Sequence, residues 1–186
     1  MLNRRILIRC LRYAYSFGRP APDLTWVTDL VGVSGTLHPR HFPYLASLGV
    51  SSVVDLRREA MHDAKLLTEC GIRYLRLPTT DHYPPSLQHM QQGARWVVDE
   101  IRAKRKTLVH CKEGIGRSVC VVCCALMLRG HDLVRALELV KAKRWGVSLN
   151  ARQIRGLEEF ERTMLTGRQS LTSVDDAVNG TGTYNC

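Results

Sequence analysis

Nine consecutive residues carry the chain's most reactive grouping: His110-Cys111-Lys112-Glu113-Gly114-Ile115-Gly116-Arg117-Ser118. Thr107-Leu108-Val109 before them reads as a buried strand, and Arg117 opens an apolar helix. A short loop between a strand end and a helix N-terminus aims backbone N–H groups at one point. The helix dipole adds partial positive charge there. Gly114 and Gly116 permit the dihedrals such a nest requires, and Arg117 adds a planar fork of donors for two oxyanion oxygens. The bowl formed by Lys112, Glu113, Gly114, Ile115, Gly116 and Arg117 suits a tetrahedral dianion. Its positive charge favours the thiolate of Cys111, which sits at the bottom, in line with the bond to be broken.

These residues resemble a family. His110-Cys111, five residues and Arg117-Ser118 form the H-C-x5-R-S/T signature of the cysteine-based phosphatases, and the short chain is similar to the small dual-specificity group. The resemblance spans roughly Thr25 to Glu161. It implies an α/β fold with a single central, mostly parallel sheet flanked by helices. It also implies hydrolysis of phosphate monoesters through a phosphocysteine, with no metal or cofactor. The chemistry needs a proton donor for the leaving oxygen. Asp81, thirty residues before Cys111 and followed by Pro84-Pro85-Ser86, resembles the family's general-acid loop. Ser118 resembles the hydroxyl that hydrogen-bonds the departing thiolate, and His110 the histidine that holds the loop. Asp55, at a strand end, and Asp99, within a helix, are weaker candidates for the acid.

The small members lack a tyrosine-bearing loop, which implies a shallow pocket open to phosphoserine, phosphothreonine and phosphotyrosine of proteins. Phospholipid substrates are the alternative. Lipid phosphatases with two loop lysines differ from this chain, which has Lys112 but Ile115 at the second position. Mitochondrial phosphatidylglycerophosphate phosphatases have a related organisation. A non-catalytic phosphate-binding module is a third reading, disfavoured because both Cys111 and Arg117 are present.

The elements that must position these groups are legible as short β-rich runs alternating with helical patterns. Strands are predicted at Trp26–Val27, Leu30–Val33, Val50–Leu56, Tyr74–Leu77 and Thr107–His110. Helices are predicted at Pro39–Leu48, Ala60–Cys70, Ser86–Lys104, Arg117–Arg129, Asp132–Arg144 and Asn150–Leu165. Ser86 and Asp132 are natural N-caps. Residues 24–165 then form the catalytic domain, and 166–186, rich in Ser, Thr, Gly and Asn, a mobile polar tail.

Composition bounds the rest. With 45% apolar and 24% charged residues, 186 residues suit one compact domain. The longest apolar run, Val119 to Leu128, is half of the roughly 20 residues a membrane span needs. The net charge of +10 points to an anionic partner, but five arginines and no acid lie in residues 1–22. The remainder, with 22 basic and 17 acidic residues, is no nucleic-acid coat. The basic arm, 1–23, is read as a helix packed on the domain, a peripheral contact with anionic membrane, or a transit peptide. Seven cysteines without regular spacing predict free thiols in a reducing compartment. The cytoplasm is expected; a mitochondrial or membrane-peripheral place is the alternative. Cys120-x-x-Cys123 within an apolar helix reads as core packing, not as a zinc knuckle.

Overall fold

The computed structural model describes residues 22–179, with side chains described for 22–166. The N-terminal arm of residues 1–21 lies outside the described residues. Among the described residues five strands form one sheet: β1 (Leu24–Trp26), β2 (Val31–Ser34), β3 (Val50–Arg57), β4 (Arg73–Thr79) and β5 (Lys106–His110). Their order is β1-β2-β5-β3-β4, with β1 antiparallel and the other pairs parallel. Strands that pair in parallel and are covered on both faces read as continuous apolar runs. In β3, Val53 joins the cluster of Phe42, Leu45, Leu67, Ile72 and Leu108 on one face. Val54 joins the larger cluster around Val109, Val121 and Leu157 on the other.

The described residues hold six α-helices: α1 (Phe42–Ser47), α2 (Ala64–Glu69), α3 (Leu87–Arg102), α4 (Arg117–Leu128), α5 (Leu133–Lys143) and α6 (Ala151–Asn179). α4 is apolar all round and buried all round, from Arg117 to Met127. It packs against α3, α5, α6 and the sheet. Each Val or Leu it buries contributes about 1.5–3 kcal/mol, which anchors the loop leading into it. β5 lies between β2 and β3 although the chain visits β4 before it. The carboxyl ends of β3, β4 and β5 are therefore neighbours, where open α/β sheets gather ligands.

The single mostly parallel sheet flanked by helices is as expected, and strand ends shift by one or two residues. Three helices differ more. Pro39–His41 forms a 3₁₀ turn before α1, because the side chain of His38 accepts from Arg40 N and caps a tighter start. Residues 60–63 are not helical: Asp63 accepts from Lys65 N, so α2 starts at Ala64. The segment from Thr166, expected to lie beyond the last helix, continues α6 to Asn179. No proline interrupts it and Gly167 is its only glycine up to Asn179, so its polarity does not end the helix. The caps at Ser86 and Asp132 accept from His89 N and Arg135 N.

Candidate active site

The loop from Cys111 to Gly116 leaves the end of β5 and enters α4 at Arg117. All six of its carbonyls are held. His110 Nδ1 lies 3.4 Å from Cys111 O, and Thr36 donates to Lys112 O through both N and Oγ1 at 2.9 Å. Arg144 reaches Glu113 O at 3.3 Å and Gly114 O at 2.8 Å. Ser148 N donates to Ile115 O at 3.2 Å, and Cys120 N to Gly116 O at 3.0 Å. In a trans peptide, C=O and N–H point opposite ways. Carbonyls tied on one side turn the amides of residues 113–116 to the other. Gly114 N accordingly donates to Cys111 Sγ at 3.2 Å.

One support of this loop has no counterpart in the motif. Arg144 is fully buried, and Asp23 binds its guanidinium at 2.8 and 3.1 Å while Thr25 Oγ1 accepts at 3.0 Å. Gly114 has φ +66°, and a Cβ there would lie 2.6 Å from the Ser34 carbonyl. Only glycine fits that approach.

Cys111 is buried, and its Sγ lies 3.3 Å from Ser118 Oγ, within reach of a hydroxyl–sulfur hydrogen bond. Arg117 is buried at the mouth of α4. Its Nη1 donates to Thr79 O at 2.8 Å, and Glu59 holds both terminal nitrogens at 2.8 Å. Its Nε is buried without a hydrogen-bond partner, a donor left for an oxyanion. Asp81 Oδ1 lies 3.1 Å from Arg117 Nη2. The acid expected from the sequence and the arginine expected from the motif thus meet, although 36 residues separate them. Lys112 is exposed, Glu113 half-buried, Ile115 and Gly114 buried.

Glu59 was not foreseen. It follows Arg57-Arg58 after β3, in a run of charge that reads as a solvated turn. The bidentate bond from Arg117 holds its carboxyl at about 2, well below the usual range.

Asp55 is not near the reacting atoms as an acid; it sits fully buried beneath His110. Burial pushes its carboxyl up, but bonds from Arg57 N, Nε and Nη2 outweigh this and leave it lowered. His62 Nε2 lies 3.0 Å from His110 Nε2, and Tyr74 OH donates to Asp55 at 3.1 Å. Burial drives both histidines down, His62 to about 4 and His110 to about 3, so both are neutral at working pH. Asp55, His62 and His110 offer three ligand atoms within 4.8 Å. Arg57 Nη2 already lies 2.8 Å from Asp55 Oδ2 and 2.9 Å from His62 Nε2, so a guanidinium fills the place a metal ion would take. Asp99 lies on the exposed side of α3 beside Arg102. Cys120, Cys123 and Cys124 are packed in the core of α4, where burial pushes their thiols up, Cys123 to about 12.

Among the described residues, no helix is long and apolar enough to cross a membrane. A family model of the dual specificity phosphatase catalytic domain matches residues 37–163. The chain is 32% identical over 124 residues to phosphatidylglycerophosphate phosphatase PTPMT2 of Arabidopsis thaliana, covering 64% of this chain and 54% of that one. It is 37% identical over 93 residues to human dual specificity protein phosphatase 7, covering 49% of this chain and 22% of that one. Among solved structures, Tk-PTP in its active form superposes with a TM-score of 0.70 at 29% identity, over 76% of this chain and 97% of that one. Human DUSP28 does so with 0.69 at 25%, over 77% and 99%. The chain is a member of the dual specificity phosphatase family through its catalytic domain.

Proposed function

We propose that this protein hydrolyses phosphate monoesters through a phosphocysteine, with phosphotyrosine and phosphoserine or phosphothreonine of proteins as substrates. The observations that support the reading are that Gly114 N of the loop donates to Cys111 Sγ at 3.2 Å and that Asp81 meets Arg117, the first residue after that loop, at 3.1 Å. Cys111 Sγ attacks phosphorus and forms the S–P bond as the P–O bond breaks. Asp81 gives its proton to the departing oxygen. The amides and Arg117 stabilise the equatorial oxygens in a water-poor site. In the second step water attacks phosphorus, Asp81 takes its proton, and the S–P electron pair returns to sulfur. Ser118 Oγ, 3.3 Å away, donates to the thiolate so released.

Hydrolysis of a phospholipid is the second reading. It is favoured by the likeness to an enzyme named for phosphatidylglycerophosphate and by Lys112, Arg58 and Arg152, all exposed. Arg58 reaches Thr80 beside Asp81, and Arg152 stacks over Tyr83.

Turnover of p-nitrophenyl phosphate without added metal tests the activity. Cys111→Ser keeps the cradle and removes the nucleophile, so inorganic phosphate should still bind while turnover is lost. Retained turnover in that variant refutes the mechanism. Comparing phosphopeptides with vesicles of anionic phospholipid, at equal phosphate concentration, separates the two substrate readings.

A further inference from the structure

We propose that Asn150, seconded by Gln153, is a positioning residue that clamps the Asp81 loop over the phosphate cradle. This rests on the reading of Asp81 as the proton donor. The side chain of Asn150 has two ends with two tasks. Its Oδ1 accepts from Arg152 N and Gln153 N, both at 3.0 Å, and so caps α6. Two backbone donors fix that oxygen, which leaves the amide nitrogen facing the other way. There Nδ2 donates to His82 O at 2.7 Å. His82 is the residue after Asp81.

Its neighbours act on the same loop. Gln153 is 3% exposed; its Oε1 accepts from Asn150 N at 3.2 Å and its Nε2 reaches Tyr83 O at 3.4 Å. The same nitrogen lies 2.9 Å from where a Cβ on Gly116 would stand, so Gln153 touches the acid loop and the cradle at once. Arg152 stacks over the Tyr83 ring at 4.8 Å. One turn beyond Gln153, Gly156 lets Pro84 approach: a Cβ there would lie 2.8 Å from Pro84 Cβ. Positions 150, 153 and 156 follow helical spacing, so one edge of α6 grips residues 82–84.

The loop needs holding. His82 has φ +63°, a conformation uncommon for a residue with a Cβ. His82 N donates to Asp81 Oδ1 at 3.0 Å, so the twist at His82 also orients the carboxylate. Releasing His82 O frees both, and a proton donor displaced by 1 Å loses much of its effect.

Asp and Ser cap helices about as well as Asn, but Asp has no side-chain donor and Ser, whose one short hydroxyl is taken up by the cap, has no second atom to reach His82 O. Asn150→Asp and Asn150→Ser therefore separate the clamp from the cap, and the neutral serine controls for the added charge. The experiment measures kcat/KM on phenyl phosphate, which leaves poorly, and on p-nitrophenyl phosphate, which leaves well, with Asp81→Asn alongside and thermal midpoints for all. Both Asn150 variants should lose roughly tenfold on phenyl phosphate and less than about twofold on p-nitrophenyl phosphate. Their midpoints should match the wild type. Asp81→Asn should show the same bias at larger size. If Asp81→Asn is biased while both Asn150 variants lose equally on the two substrates, or lose nothing, the clamp is refuted and the acid stands. If Asp81→Asn is itself unbiased, the acid assignment fails and takes the clamp with it.

Discussion

Arg117 works between two carboxylates of different character. Glu59 binds both of its terminal nitrogens and is held at about 2 by those bonds, so it is anionic at any working pH. Asp81 touches one nitrogen at 3.1 Å and is 38% exposed, free to meet a leaving group. Under the proposed mechanism Glu59 aims the guanidinium and Asp81 transfers the proton. Glu59→Gln keeps the shape and removes the charge. Hydrogen bonds to charged groups are worth ~1.5–3 kcal/mol, so kcat/KM should fall roughly tenfold to a hundredfold. The loss should be equal on phenyl and p-nitrophenyl phosphate, since aiming does not depend on the leaving group. A larger loss on phenyl phosphate would move the acid role to Glu59.

At the scale of elements, β5, its loop and α4 form one stiff unit, because α4 has no solvent face along which to shift. Close approach keeps it so. A Cβ on Gly93 of α3 would lie 2.8 Å from Val121 Cγ1 on α4 and 2.9 Å from Leu77 Cδ1 on β4. Both side chains are buried, and valine is restricted at χ1, so neither yields cheaply. Gly93→Val should lower stability in a urea titration by about 1–3 kcal/mol, the usual cost of overpacking. Turnover per folded molecule should be retained, because Gly93 touches no residue of the loop. A stability equal to wild type would show that α3 can move off α4.

For the whole molecule, acid sensitivity follows from the buried histidines. His110 and His62, surrounded by Asp55, Arg57 and Tyr74, have folded-state values of about 3 and 4, against 6.5 when unfolded. Between those limits the unfolded chain binds protons that the folded one refuses, so stability rises with pH. It is fully present above about pH 6.5 and drains away as pH falls toward 4, by on the order of 1 kcal/mol per pH unit for each histidine. Glu59, lowered to about 2, adds a further loss below its unfolded value of 4.5. Urea titrations at pH 7, 6 and 5 should show the decline. His62→Gln, which does not titrate, should lessen the slope by roughly half. An unchanged slope in that variant would mean that another group carries the acid sensitivity.

Local chemistry was legible in the sequence because it is written in neighbouring residues. The loop His110–Ser118 takes its shape from two glycines, a strand before and an apolar helix after. The caps at Ser86 and Asp132 act on their own next turn. The α/β class followed from the alternation of strands with helices. What remained hidden depends on pairs far apart in the chain. Glu59 meets Arg117 across 58 residues, Asp23 meets Arg144 across 121, and Asn150 meets His82 across 68. Each looks like a solvated polar residue in its own segment. No local pattern marks a partner that the sheet order alone brings near. The sequence by itself marked out the loop with its cysteine and arginine, and the class of fold. Only the tertiary structure decided what aims the arginine and what holds the acid, because those bonds exist only once β3, β4 and β5 lie side by side and α6 closes over their ends.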